Sequence, residues 1–101
     1  MKKITITINS PLDSPYNGKT IKGYPVGFGD GEVLIVSKKY CQHPFSYFDV
    51  IETRTGLTAL RVVGRIKDCI ELLKKRETQF IKSEGSFIDF IDRKLKQSEA
   101  E

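Results

Sequence analysis

The chain of 101 residues has no tryptophan, one histidine, one methionine and two cysteines. Two cysteines and one histidine fall short of the paired ligands that a structural zinc site uses, so no metal ion is expected. The longest aliphatic run, Val33-Leu34-Ile35-Val36, is far below the ~20 residues that span a bilayer. The opening "MKKITITINS" places lysines before apolar residues, but Thr5, Thr7 and Asn9 interrupt the continuous apolar core of a signal peptide. The expectation is a cytoplasmic chain, with Cys41 and Cys69 reduced.

The remaining composition is that of one ordinary folded domain spanning 1–101, with 39% hydrophobic and 30% charged residues. The net charge is +4, and it is unevenly spread. Residues 1–63 carry eight basic and five acidic groups, whereas 64–101 carry nine and eight. A modest excess of this kind suits nucleic acid or an acidic protein patch, and is equally common in proteins that bind neither.

Periodicity divides the chain. In "KITITIN", Ile4, Ile6 and Ile8 alternate with polar residues, as in a strand with one buried face. "SPLDSPYNGKT" reads as a long loop. "IKGYPVGFGDGEVLIVSK" reads as a hairpin turning at Asp30-Gly31 with both central residues at positive φ; Pro25 places its strand at an edge. "FDVIETRTGLTALRVV" is a second hairpin, with Gly56 closing the four-residue turn Thr53–Gly56 and Leu57 to Val63 returning. After Gly64 the period becomes helical. Ile66, Cys69, Ile70 and Leu73 share a face, and Glu77 falls in that stripe, so either the packed face ends near Arg76, which is the first expectation, or a basic neighbour holds Glu77. Gly85 and Ser86 stop one helix and start the next, which carries Phe87, Ile88, Ile91 and Leu95 on one side.

The predicted fold is α+β: an antiparallel sheet of four to five strands, two hairpins plus the N-terminal strand, packed on one face against two C-terminal helices. The sheet covers about 2–63 and the helical hairpin 64–96, and residues 97–101 form a frayed tail.

Several chemistries can be tested by spacing. "NGKT" (Asn17 to Thr20) has the end of a phosphate-binding loop, but Asp13 stands where the first glycine is required, and a strand-like stretch follows instead of a helix. "GFGDGE" has Glu32 where the dinucleotide fingerprint needs its third glycine, and that carboxylate would repel a pyrophosphate. Cys41-x-His43 could be half a metal site, completed by Asp49, Cys69 or a second subunit, but no spacing supports a completion. As a catalytic pair the two backbones lie about 6.5 Å apart in an extended segment, against the ~2.6–3.2 Å of a working hydrogen bond. Asp89 and Asp92 read as solvated helix surface, and Cys69 as a small core residue. No catalytic residue and no cofactor are expected.

What stands out is "KKYCQHPFSYF", Lys38 to Phe48, with four rings in nine residues. Phe48 reads as core. Strict alternation puts rings on both faces, so either both faces are covered or some rings are exposed. Tyr40, His43, Phe45 and Tyr47, with Lys38, Lys39 and Arg54, are the candidate partner-binding residues. Rigid aromatics of this kind anchor protein interfaces, or stack on unpaired bases while lysines meet phosphates. A protein partner is the first expectation and a sequence-non-specific single-strand nucleic-acid binder the alternative. Homo-oligomerisation stays open; no membrane or small-molecule substrate is expected.

"YFDVIETRTGLTALRVVGRIKDCIELLKKR", running strand, Thr-Gly turn, strand and helix, resembles small accessory proteins of phages and other mobile elements. The resemblance implies a short, enzyme-free protein that binds and redirects a host machine, including inhibitors of defence systems.

Overall fold

The computed structural model describes residues 2–10, 12, 14–37, 40 and 47–100, with the side chains of 47 and 98–100 left aside. Five strands, β1 (Ile4–Thr7), β2 (Thr20–Phe28), β3 (Gly31–Val36), β4 (Tyr47–Glu52) and β5 (Thr58–Val63), precede two helices, α1 (Ile66–Glu84) and α2 (Phe87–Ala100). The strands form one antiparallel sheet in chain order, β1-β2-β3-β4-β5, which is the α+β architecture expected.

The central strand explains the layering. Val33, Leu34, Ile35 and Val36 are all fully buried, so both faces of β3 are covered. On one face Val33 and Ile35 join Phe28, Phe48, Val50 and Val62, and the helices lay Cys69, Leu73, Phe87 and Ile91 over them. On the other face Leu34 and Val36 join Ile21 and Ile51, and the cover is the segment between β1 and β2, which contributes Ile8 and Tyr16. Each large aliphatic side chain fully buried this way contributes about 1.5–3 kcal/mol.

That covering segment is held by its own polar groups. Asn17 Nδ2 donates to the Leu12 carbonyl at 2.6 Å and Asn17 Oδ1 accepts from Ser10 N at 3.2 Å. Ser14 Oγ donates to the Gly56 carbonyl at 2.8 Å, tying the segment to the β4–β5 turn. Gly56 has φ +70, and a Cβ there would lie 2.7 Å from Ser14 Oγ and 2.9 Å from Ile8 Cγ2. Turn conformation and close packing both require glycine at this position.

Pro25 lies on β2, which is an internal strand, yet its own neighbourhood is an edge. β1 pairs with β2 only from Thr20 to Gly23, so no strand lies outside Pro25. The β2–β3 turn sits one residue earlier than the sequence suggests. Phe28 pairs with Gly31, so Gly29 and Asp30 are the central residues, and only Gly29 has positive φ (+59). This is the glycine-first hairpin geometry. From the second turn position the Asp30 carboxylate reaches the start of α2. Its Oδ1 accepts from Ile88 N at 3.0 Å and its Oδ2 from Ser86 Oγ, which anchors that helix to the hairpin.

Glu77 does not end the apolar face of α1. Its carboxylate accepts from Gly29 N at 2.6 Å, and Phe80 carries the packed stripe one turn further. Gly85, at φ +79, closes α1 with its N–H on the Ile81 carbonyl at 3.1 Å. Ser86 Oγ accepts from Asp89 N at 3.1 Å, as an N-cap should.

Candidate functional site

Five of the residues singled out from the sequence, Lys38, Lys39, His43, Phe45 and Cys41 beside them, lie outside the described residues. Tyr47 opens β4, its backbone opposite Val63. Tyr40 is half-buried and packs against the second-face cluster of Leu34, Val36 and Ile51. Arg54 is engaged within the fold: Nε lies 3.4 Å from Glu52 Oε1 and Nη1 3.0 Å from Asp92 Oδ1, joining the β4–β5 turn to α2. Burial opposes its charge, but these two carboxylates more than offset that and raise its pKa. Glu52 is buried and also accepts from Thr55 N and Oγ1, both at 2.7 Å, so the turn is closed from inside.

The second-face core encloses a charged group. Asp49 is fully buried on β4, accepts from the Tyr16 hydroxyl, and has Arg61 Nε 3.4 Å from its Oδ1. Cys69, also fully buried, has its thiol pushed up to about 11 by burial, which makes it inert as a nucleophile at neutral pH. Among the described residues no three His, Cys, Asp or Glu side chains gather in a way that could hold a metal ion. Among the same residues, no helix is long and apolar enough to cross a membrane.

The surface feature with binding character lies elsewhere. α1 and α2 are joined at Gly85, and residues of both helices and of the start of β5 line one gap. The gap is a cavity of about 470 Å³ lined mainly by apolar atoms. Leu60, Leu73, Phe80 and Phe90 form its walls, and Phe28 and Phe87 join it to the core. The rings fix one another edge to face: Phe80 meets Phe28 at 5.6 Å, Phe87 at 5.5 Å and Phe90 at 5.2 Å between centroids. Such packing gives walls that need little rearrangement to receive a guest.

Its rim is polar on the α1 side, where Arg76, Gln79 and Ser83 stand exposed, with Ala59 exposed on β5. β5 is an outer strand of the sheet. Its register against β4 shifts by one residue between Val50 and Ile51, so Leu60 faces Val50, Thr58 faces Ile51, and Ala59 is left over. The start of β5, where this extra residue falls, contributes Thr58, Ala59 and Leu60 to the cavity lining. Val63, at the other end of β5, is 78% exposed.

Sequence patterning misses this site because Glu77 interrupts the α1 stripe. The available signal was Phe80, seven residues after Leu73, with Phe90 three after Phe87: two aromatic positions on helix faces already marked as apolar.

Protein-family models, curated proteins and solved structures contain no match to this chain.

Proposed function

We propose that this chain is a small, non-enzymatic protein-binding module that works by occupying a partner's surface, and that the Phe80–Phe90 groove is where the partner docks. One observation carries this reading: a preformed apolar cavity of about 470 Å³ opens to the surface and is continuous with the core. Exposed apolar concavities with a polar rim are where proteins receive anchor side chains. A short protein of this kind also suits the inhibitor role implied by the resemblance to accessory proteins of mobile elements.

The test compares what the wild-type chain and a Ser83→Trp variant each retain from extracts of the native host. Ser83 is exposed, so an indole there plugs the groove at little cost to the fold. A protein retained by the wild type and lost by Ser83→Trp supports the reading. A protein retained equally by both removes the groove from it. A captured nucleic acid that leaves steeply between low and moderate salt would put single-strand binding in its place.

A further inference from the structure

The groove has an electrostatic character that narrows what can fill it, and the inference rests on the reading of the groove as a docking site. Arg76 is the one charged residue among the described residues that line the cavity. Among the described residues it makes no ion pair or side-chain hydrogen bond, and Lys74 and Lys75 precede it on the exposed side of α1. Three carboxylates of the same two helices are engaged elsewhere: Glu77 with Gly29 N at 2.6 Å, Glu84 with Arg93 at 3.4 Å and Asp92 with Arg54 at 3.0 Å. The fold therefore presents an unmatched guanidinium at the edge of an aromatic cavity. Arg is suited to this position because its planar fork grips a carboxylate with two parallel hydrogen bonds.

We propose that the groove takes an acidic peptide segment of a partner protein, with one or two bulky apolar side chains entering between Leu60, Phe80 and Phe90 and a neighbouring carboxylate pairing with Arg76. A second copy of this chain fits less well. Its own outer strand and the residue pair after it, Thr58 to Arg65, carry Arg61 and Arg65 and no carboxylate, so self-pairing would bring like charges together. The apolar contact holds the guest, and the charge selects which guest enters.

The experiment selects binders to the full chain from a displayed library of short random peptides, then repeats the selection on Arg76→Glu. Selected peptides are made synthetically, and their binding sites are located by amide chemical-shift changes in the isotope-labelled chain. Expected are peptides joining Phe, Leu or Trp to Asp or Glu, with shifts at Ala59, Leu60, Gln79 and Ser83. Arg76→Glu should weaken them by about tenfold or more, as when a charge pair is turned into a repulsion, and should itself select Lys or Arg beside the same apolar residues. Peptides that occupy the groove without a carboxylate and bind Arg76→Glu equally well overturn the acidic-segment inference while leaving the docking reading intact. Peptides bound only elsewhere on the surface overturn both. Two further arms are read alongside: concentration-dependent self-association abolished by Ser83→Trp, or filling of the groove by a medium-chain fatty acid with no acidic peptide selected, would each replace the peptide as occupant. Thermal melts of Arg76→Glu confirm that the exposed substitution leaves the fold in place.

Discussion

The hydroxyl of Tyr16 donates to Asp49 across the second face of the sheet, and both side chains are wholly shielded from solvent. A segment with almost no regular structure thus delivers a phenol to a buried carboxylate, with Arg61 Nε 3.4 Å from the other carboxylate oxygen. The contact specifies how the covering segment sits, because a buried carboxylate is costly wherever its donors are missing. Tyr16→Phe keeps the ring and removes the donor. It should lower stability by about 1–3 kcal/mol, read as a shift of the urea midpoint at neutral pH. Asp49→Asn in the Tyr16→Phe background should recover part of that loss. If Tyr16→Phe unfolds at the wild-type midpoint, the phenol contributes no stability through this contact.

The start of α2 depends on a carboxylate from the β2–β3 turn. Hydrogen bonds from Ser86 Oγ and the Ile88 amide hold Asp30 below its ordinary 3.8. Asp30 therefore binds a proton less readily in the folded chain than in the unfolded one. Its contribution is complete above the ordinary value and is lost as pH falls through the lower folded value. Asp30→Ala should melt below the wild type at pH 7, and the gap between the two should close below about pH 4. A gap that stays constant down to the most acidic pH that still permits folding would mean that the anchoring does not depend on the charge.

The sheet and helices were legible because strand and helix periods are written into single segments. Ile4 to Ile8, the turn at Gly56 and the Gly85-Ser86 break each announce themselves within a few residues. Two things were not, and both involve residues far apart in sequence. Tyr16 meets Asp49 and Ser14 meets Gly56 across the sheet, and no local period marks a loop as the cover of a second face. Tyr40, which precedes β4 in the chain, packs against the same second-face cluster. The groove was hidden for a related reason. Glu77 interrupts the apolar pattern of α1, and the fold uses it to bind the amide of Gly29, 48 residues away.

That bond between Glu77 and Gly29 has its own test. The carboxylate sits one turn before Phe80 and holds the tip of the β2–β3 hairpin against α1. Glu77→Leu extends the apolar stripe but removes the acceptor. It should destabilise the chain by about 1 kcal/mol, and the Gly29 amide should exchange with solvent markedly faster. Glu77→Gln retains an acceptor oxygen and should keep most of the protection. Unchanged exchange at Gly29 in Glu77→Leu would show that the hairpin tip is held by Asp30 alone.

Cys69 links burial to pH from the opposite direction. Its thiol is enclosed by the helix–sheet core, and burial pushes it from its ordinary 9.0 to about 11. The folded chain therefore keeps this proton at pH values where the unfolded chain gives it up. Stability from this group is present below pH 9.0 and is lost as pH rises toward about 11. Cys69→Ala should flatten that alkaline fall, at a constant cost of about 1 kcal/mol from the lost packing. Reactivity follows the same logic, since only the thiolate attacks a disulfide reagent. In a Cys41→Ser background, which leaves Cys69 as the single thiol, labelling at pH 8 should be slow. Its rate should rise with urea in step with global unfolding. Rapid labelling in the absence of urea would mean that α1 lifts from the sheet without unfolding the rest. The cavity walls at Leu73 and Phe80 would then be mobile rather than preformed.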